Sequence, residues 1–154
     1  MAATGQLPSS FRDPSGFVFL KDNIYYRHIH NSYKNHYIAF IQSGCYEELV
    51  KDSLILRHEE INENLTGHPD WFLTLKPEQL KYTSQPCEWS FDMLKDAAKL
   101  TLQILKKCIH KGIILKDASA YNIQLHKGKM IFIDSLSFEE YNEALPWVAY
   151  RQFC

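Results

Sequence analysis

The stretch from Ser90 to Ser135 constrains the fold most, because its hydrophobic period changes from helical to strand-like within a few residues. Ser90 suits a helix N-cap, and Asp92 complements the positive end of the helix dipole. Phe91, Leu94, Ala98, Leu102, Leu105 and Ile109 recur at helical spacing, which predicts a helix over Ser90–Lys111 buried along that stripe. Lys106, Lys107, His110 and Lys111 crowd the last turn, and Gly112 suits a left-handed stop. The chain then runs through Ile113-Ile114-Leu115 into a polar loop. Beyond it, Asn122–His126 and Met130–Ile133 read as two strands joined by Lys127-Gly128-Lys129, a hairpin.

The polar loop carries the chemistry. Asp117 is followed five positions later by Asn122, and Asp134 lies twelve residues further on; of eight aspartates only Asp117 has this relation to an asparagine. An acid, an amide and a second acid at this spacing suit phosphoryl transfer with bound magnesium: one Asp orients the nucleophile, while Asn and the second Asp hold the metal. Helix, loop, hairpin, then Asp at a strand end is the order of the kinase catalytic region. An Asp there is expected to be rigid yet to reach solvent. The competing reading is local: Asp117 and Asn122 cap turns, and Asp134 ends a strand.

The remaining segments extend this to an α+β chain with a shortened protein-kinase-like, two-lobed fold. Residues 1–16 hold Gly5, Pro8, Pro14 and Gly16 and read as a flexible lead-in. Residues 17–85 form an N-lobe-like half: a hairpin of Gly16–Leu20 and Ile24–Ile29 around Lys21-Asp22-Asn23, a helix from Tyr33 to Ser43 stopped by Gly44, and a helical piece from Tyr46 to Lys51. An extended segment over 53–61, a polar loop over 62–70 and a strand over Leu80–Ser84 complete it, with 71–75 open between strand and loop. Residues 86–154 form the C-lobe-like half, with Glu139–Ala144 polar and a helix starting near Trp147. Lys21-Asp22-Asn23 stands where a Gly-rich loop would cover phosphates, and no V-A-I-K string is present. Arg27 is the substitute cation, with Glu47 or Glu48 as its partner; Lys116 beside Asp117 is a point charge for the transferring group. Leu115 and Lys116 replace the usual His and Arg, and Ser135-Leu136 replaces Phe-Gly. A small molecule, or no substrate at all, is therefore expected rather than a protein.

Three strings carry a family resemblance: Leu115–Gln124, Phe132–Glu139 and Pro146–Cys154, with support from Pro86–Phe91 and Phe11–Gly16. They resemble the kinase-like N-terminal region of bacterial proteins described as S-adenosylmethionine-dependent methyltransferases, including nodulation-associated ones. The resemblance implies a following methyltransferase domain in a longer parent, and S-adenosylmethionine would bind there. No Gly-rich turn between strand and helix is found in these 154 residues.

Two functions follow as expectations. The first is a module binding Mg2+ and ATP and transferring phosphoryl to a small molecule, with Asp117 and Lys116 catalytic, Asn122 and Asp134 on the metal, and Arg27 and Glu47 on the nucleotide. The second is an inactive, pseudokinase-like module that supports or delivers substrate to the methyltransferase domain. Composition fits a globular chain (45% hydrophobic, 23% charged), and a net charge of −1 gives no reason to expect nucleic acid or an anionic membrane as partner. Cysteines 45, 87, 108 and 154 form no C-x-x-C pair, which fits reduced thiols in a cytoplasm, with Cys108 a core residue. His28 and His30 share one strand face as two metal ligands would. With no third ligand placed by the sequence, exposed strand histidines are the simpler expectation.

Overall fold

The structure is a computed structural model that describes Gly5–Gln6 and residues 13–153. Most of the expected lead-in (1–4 and 7–12, including Phe11-Arg12 of the resemblance) and Cys154 lie outside the described residues. The chain forms two compact units, Met1–Asn35 with Arg57–Gln79 and His36–Leu56 with Leu80–Cys154. Residues 36–56, expected in the first half, thus group with the second unit.

The first unit is a five-stranded antiparallel sheet in the order β1-β2-β3-β5-β4. Its strands are β1 (Gly5–Gln6), β2 (Gly16–Lys21), β3 (Ile24–Ile29), β4 (His58–Ile61) and β5 (Leu73–Pro77). The β2–β3 hairpin closes with Lys21 opposite Ile24, so only Asp22 and Asn23 make the turn, at φ 51° and 60°. Two left-handed residues match the right-handed strand twist, and Asp and Asn tolerate that conformation. Phe17, Phe19, Ile29, Leu73 and Leu75 are buried. The segment left open at 71–75 is therefore strand from Leu73 onward.

The second unit holds most of α1 (Lys34–Gln42), then α2 (Cys45–Lys51), α3 (Phe91–Ile109), β6 (Ile113–Leu115), β7 (Ile123–His126), β8 (Lys129–Phe132), β9 (Phe138–Glu140) and α4 (Tyr150–Phe153). Gly44, at φ 73°, separates α1 from α2 as expected. β7 and β8 pair as the expected hairpin, Ile123 opposite Phe132, and β6 pairs with β9. One apolar core joins Phe40, Leu49, Ile55, Leu100, Ile104, Leu115, Ile123, Phe132 and Phe138. Phe40 and Phe138 stack at 4.0 Å. Burying each such ring stabilises by roughly 2–3 kcal/mol, so three phenylalanines supply a substantial share of the core.

Three expectations need correction. Helix α3 exists, and Ser90 caps it by accepting from Met93 N at 3.3 Å, but it buries a different face. Ala97, Leu100, Thr101, Ile104 and Cys108 are inside, whereas Phe91 is 79% and Leu102 56% exposed. The buried stripe is displaced by one residue, about 100° around the axis. Ala97, Leu100, Ile104 and Cys108 join the apolar core, and at the flank Lys107 meets Glu48 and Asp52 at 2.8 Å each while Lys111 meets Glu48 at 3.4 Å. Thr101 tolerates burial because its hydroxyl donates to Ala97 O at 3.0 Å. Leu80–Ser84 is not a strand; Gln124 instead fixes that stretch, accepting from Ser84 N at 2.8 Å and donating to Ser84 O at 3.0 Å. Finally, the first residues of the expected polar segment at 139–144 belong to β9.

Candidate functional site

The loop after β6 is fixed by its flanks as well as by bonds of its own. Lys116 N donates to Ser137 O (2.9 Å), and Ala118 N donates to the Gln152 side chain (2.9 Å). Trp147 Nε1 donates to Leu115 O at 2.8 Å. Within the loop, Asp117 Oδ1 accepts from Ser119 N at 2.9 Å, the local turn foreseen as the competing reading. A 3-10 turn over Ala120–Asn122 then leads into β7. Ile133 N donates to Asn122 O at 2.8 Å, which ties the asparagine to the chain just before Asp134.

This backbone arrangement brings two predicted metal ligands to one hydroxyl. Asn122 Nδ2 donates to Ser137 Oγ at 3.2 Å, and Ser137 Oγ–H donates to Asp134 Oδ2. Asp134 Oδ1 accepts from Leu136 N at 3.0 Å. Asp134 is only 6% exposed, so the expectation of a solvent-reaching carboxylate is corrected: both its oxygens are engaged inside the loop 134–137. Ser137 is fully buried and was missed in the sequence, where nothing distinguishes it from Ser135. Lys116 borders a groove of about 290 Å³ whose lining includes Glu139, Glu140 and Trp147.

The nucleotide-side residues fall elsewhere. Glu47 is exposed in the first turn of α2, and its neighbour Glu48 is held by Lys107 and Lys111, which lower its pKa. Arg27, on β3 in the first unit, pairs with Asp13 at 2.9 Å. Asp13 in turn accepts from Ser15 N at 2.8 Å, so the carboxylate also fixes the approach to β2.

A second cluster lies in the first unit. His28, expected to be exposed, is fully buried and stacks on Phe17 at 4.5 Å and 11°. His30 and His68 join it, and one ligand atom from each of the three rings lies within 4.8 Å of the others. Burial lowers the His28 pKa, with the neighbouring His30 and His68 acting in the same direction, against a bond to Asp70 O that raises it. His68 is forty residues from His28 in the chain, on the 62–70 loop, and no sequence period could have placed it there. Among the described residues, no helix is long and apolar enough to cross a membrane.

The order of elements around this loop, with an antiparallel sheet ahead of it, is that of a kinase-like α+β fold. A solved structure of vaccinia related kinase 3 superposes with a TM-score of 0.51, covering 90% of this chain and 52% of that one at 12% identity, which bears on fold alone. In sequence the chain is similar to the nodulation protein NoeA of Rhizobium meliloti (strain 1021), with 31% identity over 156 residues. That alignment takes in 97% of this chain but 32% of NoeA, so the chain spans about a third of its relative's length. No family model matches the chain.

Proposed function

We propose that this chain is a magnesium–nucleotide-binding, kinase-like module, acting on a small molecule if it turns over. The observation that carries the reading is the Ser137 hydroxyl, which holds the Asn122 amide and the Asp134 carboxylate together beside the loop bearing Asp117. A carboxylate with an amide oxygen is the hard-oxygen donor set that suits Mg2+. The group would be held by Asn122 and Asp134 after Ser137 releases the Asp134 carboxylate. Bound there, Mg2+ would neutralise phosphate charge; Asp117 would orient an acceptor hydroxyl and take its proton, with Lys116 beside it as a point charge.

Calorimetry with ATP and Mg2+ on the wild-type chain and on Asp134→Ala tests this. Saturable binding that is lost in the variant is expected. Equal binding in both, or none in either, rejects the reading.

A second reading is favoured by the β2–β3 turn. With only Asp22 and Asn23 between the strands, no run of backbone amides is offered to phosphates there, and Asp22 would repel them. Together with the engaged state of Asp134, this supports a non-catalytic module within a longer protein of the NoeA kind. Such a module would support, or deliver substrate to, a following S-adenosylmethionine-dependent domain. ATP hydrolysis or substrate phosphorylation that disappears in Asp117→Asn would rule out this second reading.

A further inference from the structure

The three histidines of the first unit are arranged as metal ligands. His28 and His30 alternate along β3 and share a face, and the 62–70 loop brings His68 over them. Their ring centroids form a nearly equilateral triangle, at 4.9 Å for His28–His30 and 5.3 Å for both His28–His68 and His30–His68. Three imidazoles on one tetrahedral ion would place their centroids about 5.2 Å apart, taking Zn–N of about 2.05 Å and a nitrogen about 1.15 Å from its ring centre. The observed ring triangle is of the size a single zinc-like ion allows. The ligand nitrogens, within 4.8 Å of one another, would have to close to about 3.4 Å on such an ion, so the rings would turn inward on binding.

The 62–70 loop is held over the cluster by Asn64, whose Nδ2 donates to His68 O (2.9 Å) and whose Oδ1 accepts from Gly67 N (2.9 Å). His28 Nδ1 bonds the Thr66 hydroxyl at 3.1 Å, and His28 Nε2 and His30 Nδ1 both bond Asp70 O, at 2.7 and 2.8 Å. An ion entering the cluster would replace the two bonds to Asp70 O. A second ring nitrogen anchored by a hydroxyl is also the support that metal-ligating histidines usually have.

We propose that His28, His30 and His68 bind one divalent transition ion of the zinc class. The Asp70 carboxylate lies outside this group, with Oδ1 accepting from Asn31 N at 3.0 Å and Oδ2 3.4 Å from His30 Nδ1. Imidazole ligands select zinc over magnesium, so this site is chemically separate from the oxygen donors near Asp134. Phe17 packs against all three rings, at 4.5–5.9 Å, and excludes water from the inner side. The ion would cross-link the 62–70 loop to β3.

The test uses untagged, chelator-treated chain titrated with zinc by calorimetry, with cobalt(II) absorption as a second readout. His68→Gln and His30→Gln are the variants, since neither residue is fully buried, and His126→Gln is the control. The expected result is one ion per chain, tetrahedral cobalt bands, and at least tenfold weaker binding in both variants but not in the control. Absence of saturable zinc binding overturns the proposal, and so does binding that both variants retain at wild-type affinity.

Discussion

Ser137 holds two side chains with one hydroxyl, accepting from Asn122 and donating to Asp134 while being fully buried itself. Removing that oxygen takes one hydrogen bond from a buried carboxylate, and a hydrogen bond to a charged group is worth about 1.5–3 kcal/mol. Ser137→Ala is therefore expected to lower the unfolding free energy by about 2 kcal/mol in chemical denaturation. A change below about 0.5 kcal/mol would mean the bridge is not made in solution. His58, on β4, offers a different test. Burial lowers its pKa to about 4 from the ordinary 6.5. The unfolded chain then binds this proton more readily than the folded one, so stability is fully present above the unfolded pKa and falls as pH drops from 6.5 through 4. Between pH 7 and pH 5 the group alone removes about 2 kcal/mol. His58→Gln should flatten the acid limb of a stability–pH profile by that amount; an unchanged slope would mean His58 is protonated in the folded state too.

Elements were read from the sequence more securely than their faces. The ends of α3 followed from Ser90 and Gly112, which act within one turn, and the β7–β8 hairpin followed from Lys127-Gly128. The face of α3 did not follow, because apolar residues surround much of its circumference and the choice was made by the core formed by distant segments such as Leu49, Leu115 and Phe132. Leu80–Ser84 has strand-like residues but no partner strand, and Gln124 fixes it by side-chain bonds that no local pattern predicts. Of the candidate site, Asp117, Asn122 and Asp134 could be singled out by spacing alone, whereas Ser137 and His68 come beside their partners only through folding. The corrected α3 face makes a direct comparison possible. Ile104→Ala removes a fully buried side chain and should cost about 2–5 kcal/mol, while Leu102→Ala, on the exposed side, should stay within about 0.5 kcal/mol. Thermal or denaturant melts of the two variants decide between the faces, and the reverse order would restore the original stripe. Ser90→Ala, which deletes the cap, should cost about 1 kcal/mol in the same assay.

At the scale of the molecule, two kinds of donor set sit in two separately packed units. The first unit, a sheet, carries imidazoles around a loop; the second, with an apolar core of its own, carries oxygen donors on the loops after β6 and β8. Hard and borderline cations should therefore act on different parts of one chain. A ligand that binds only the folded form suppresses local opening where it binds, and amide hydrogen exchange resolves that by segment. Zinc should slow exchange in 28–30 and 64–70, where it would cross-link loop to strand, and leave 116–137 unchanged. Mg2+ with ATP should slow exchange in 116–137, where Asn122 and Asp134 lie. The pairing of ion with segment is the discriminating outcome, because generic stabilisation would slow both. Protection of 116–137 by zinc alone would move the metal chemistry to the Asp134 loop. Protection of 64–70 by magnesium alone would show that the histidine cluster does not select by donor type.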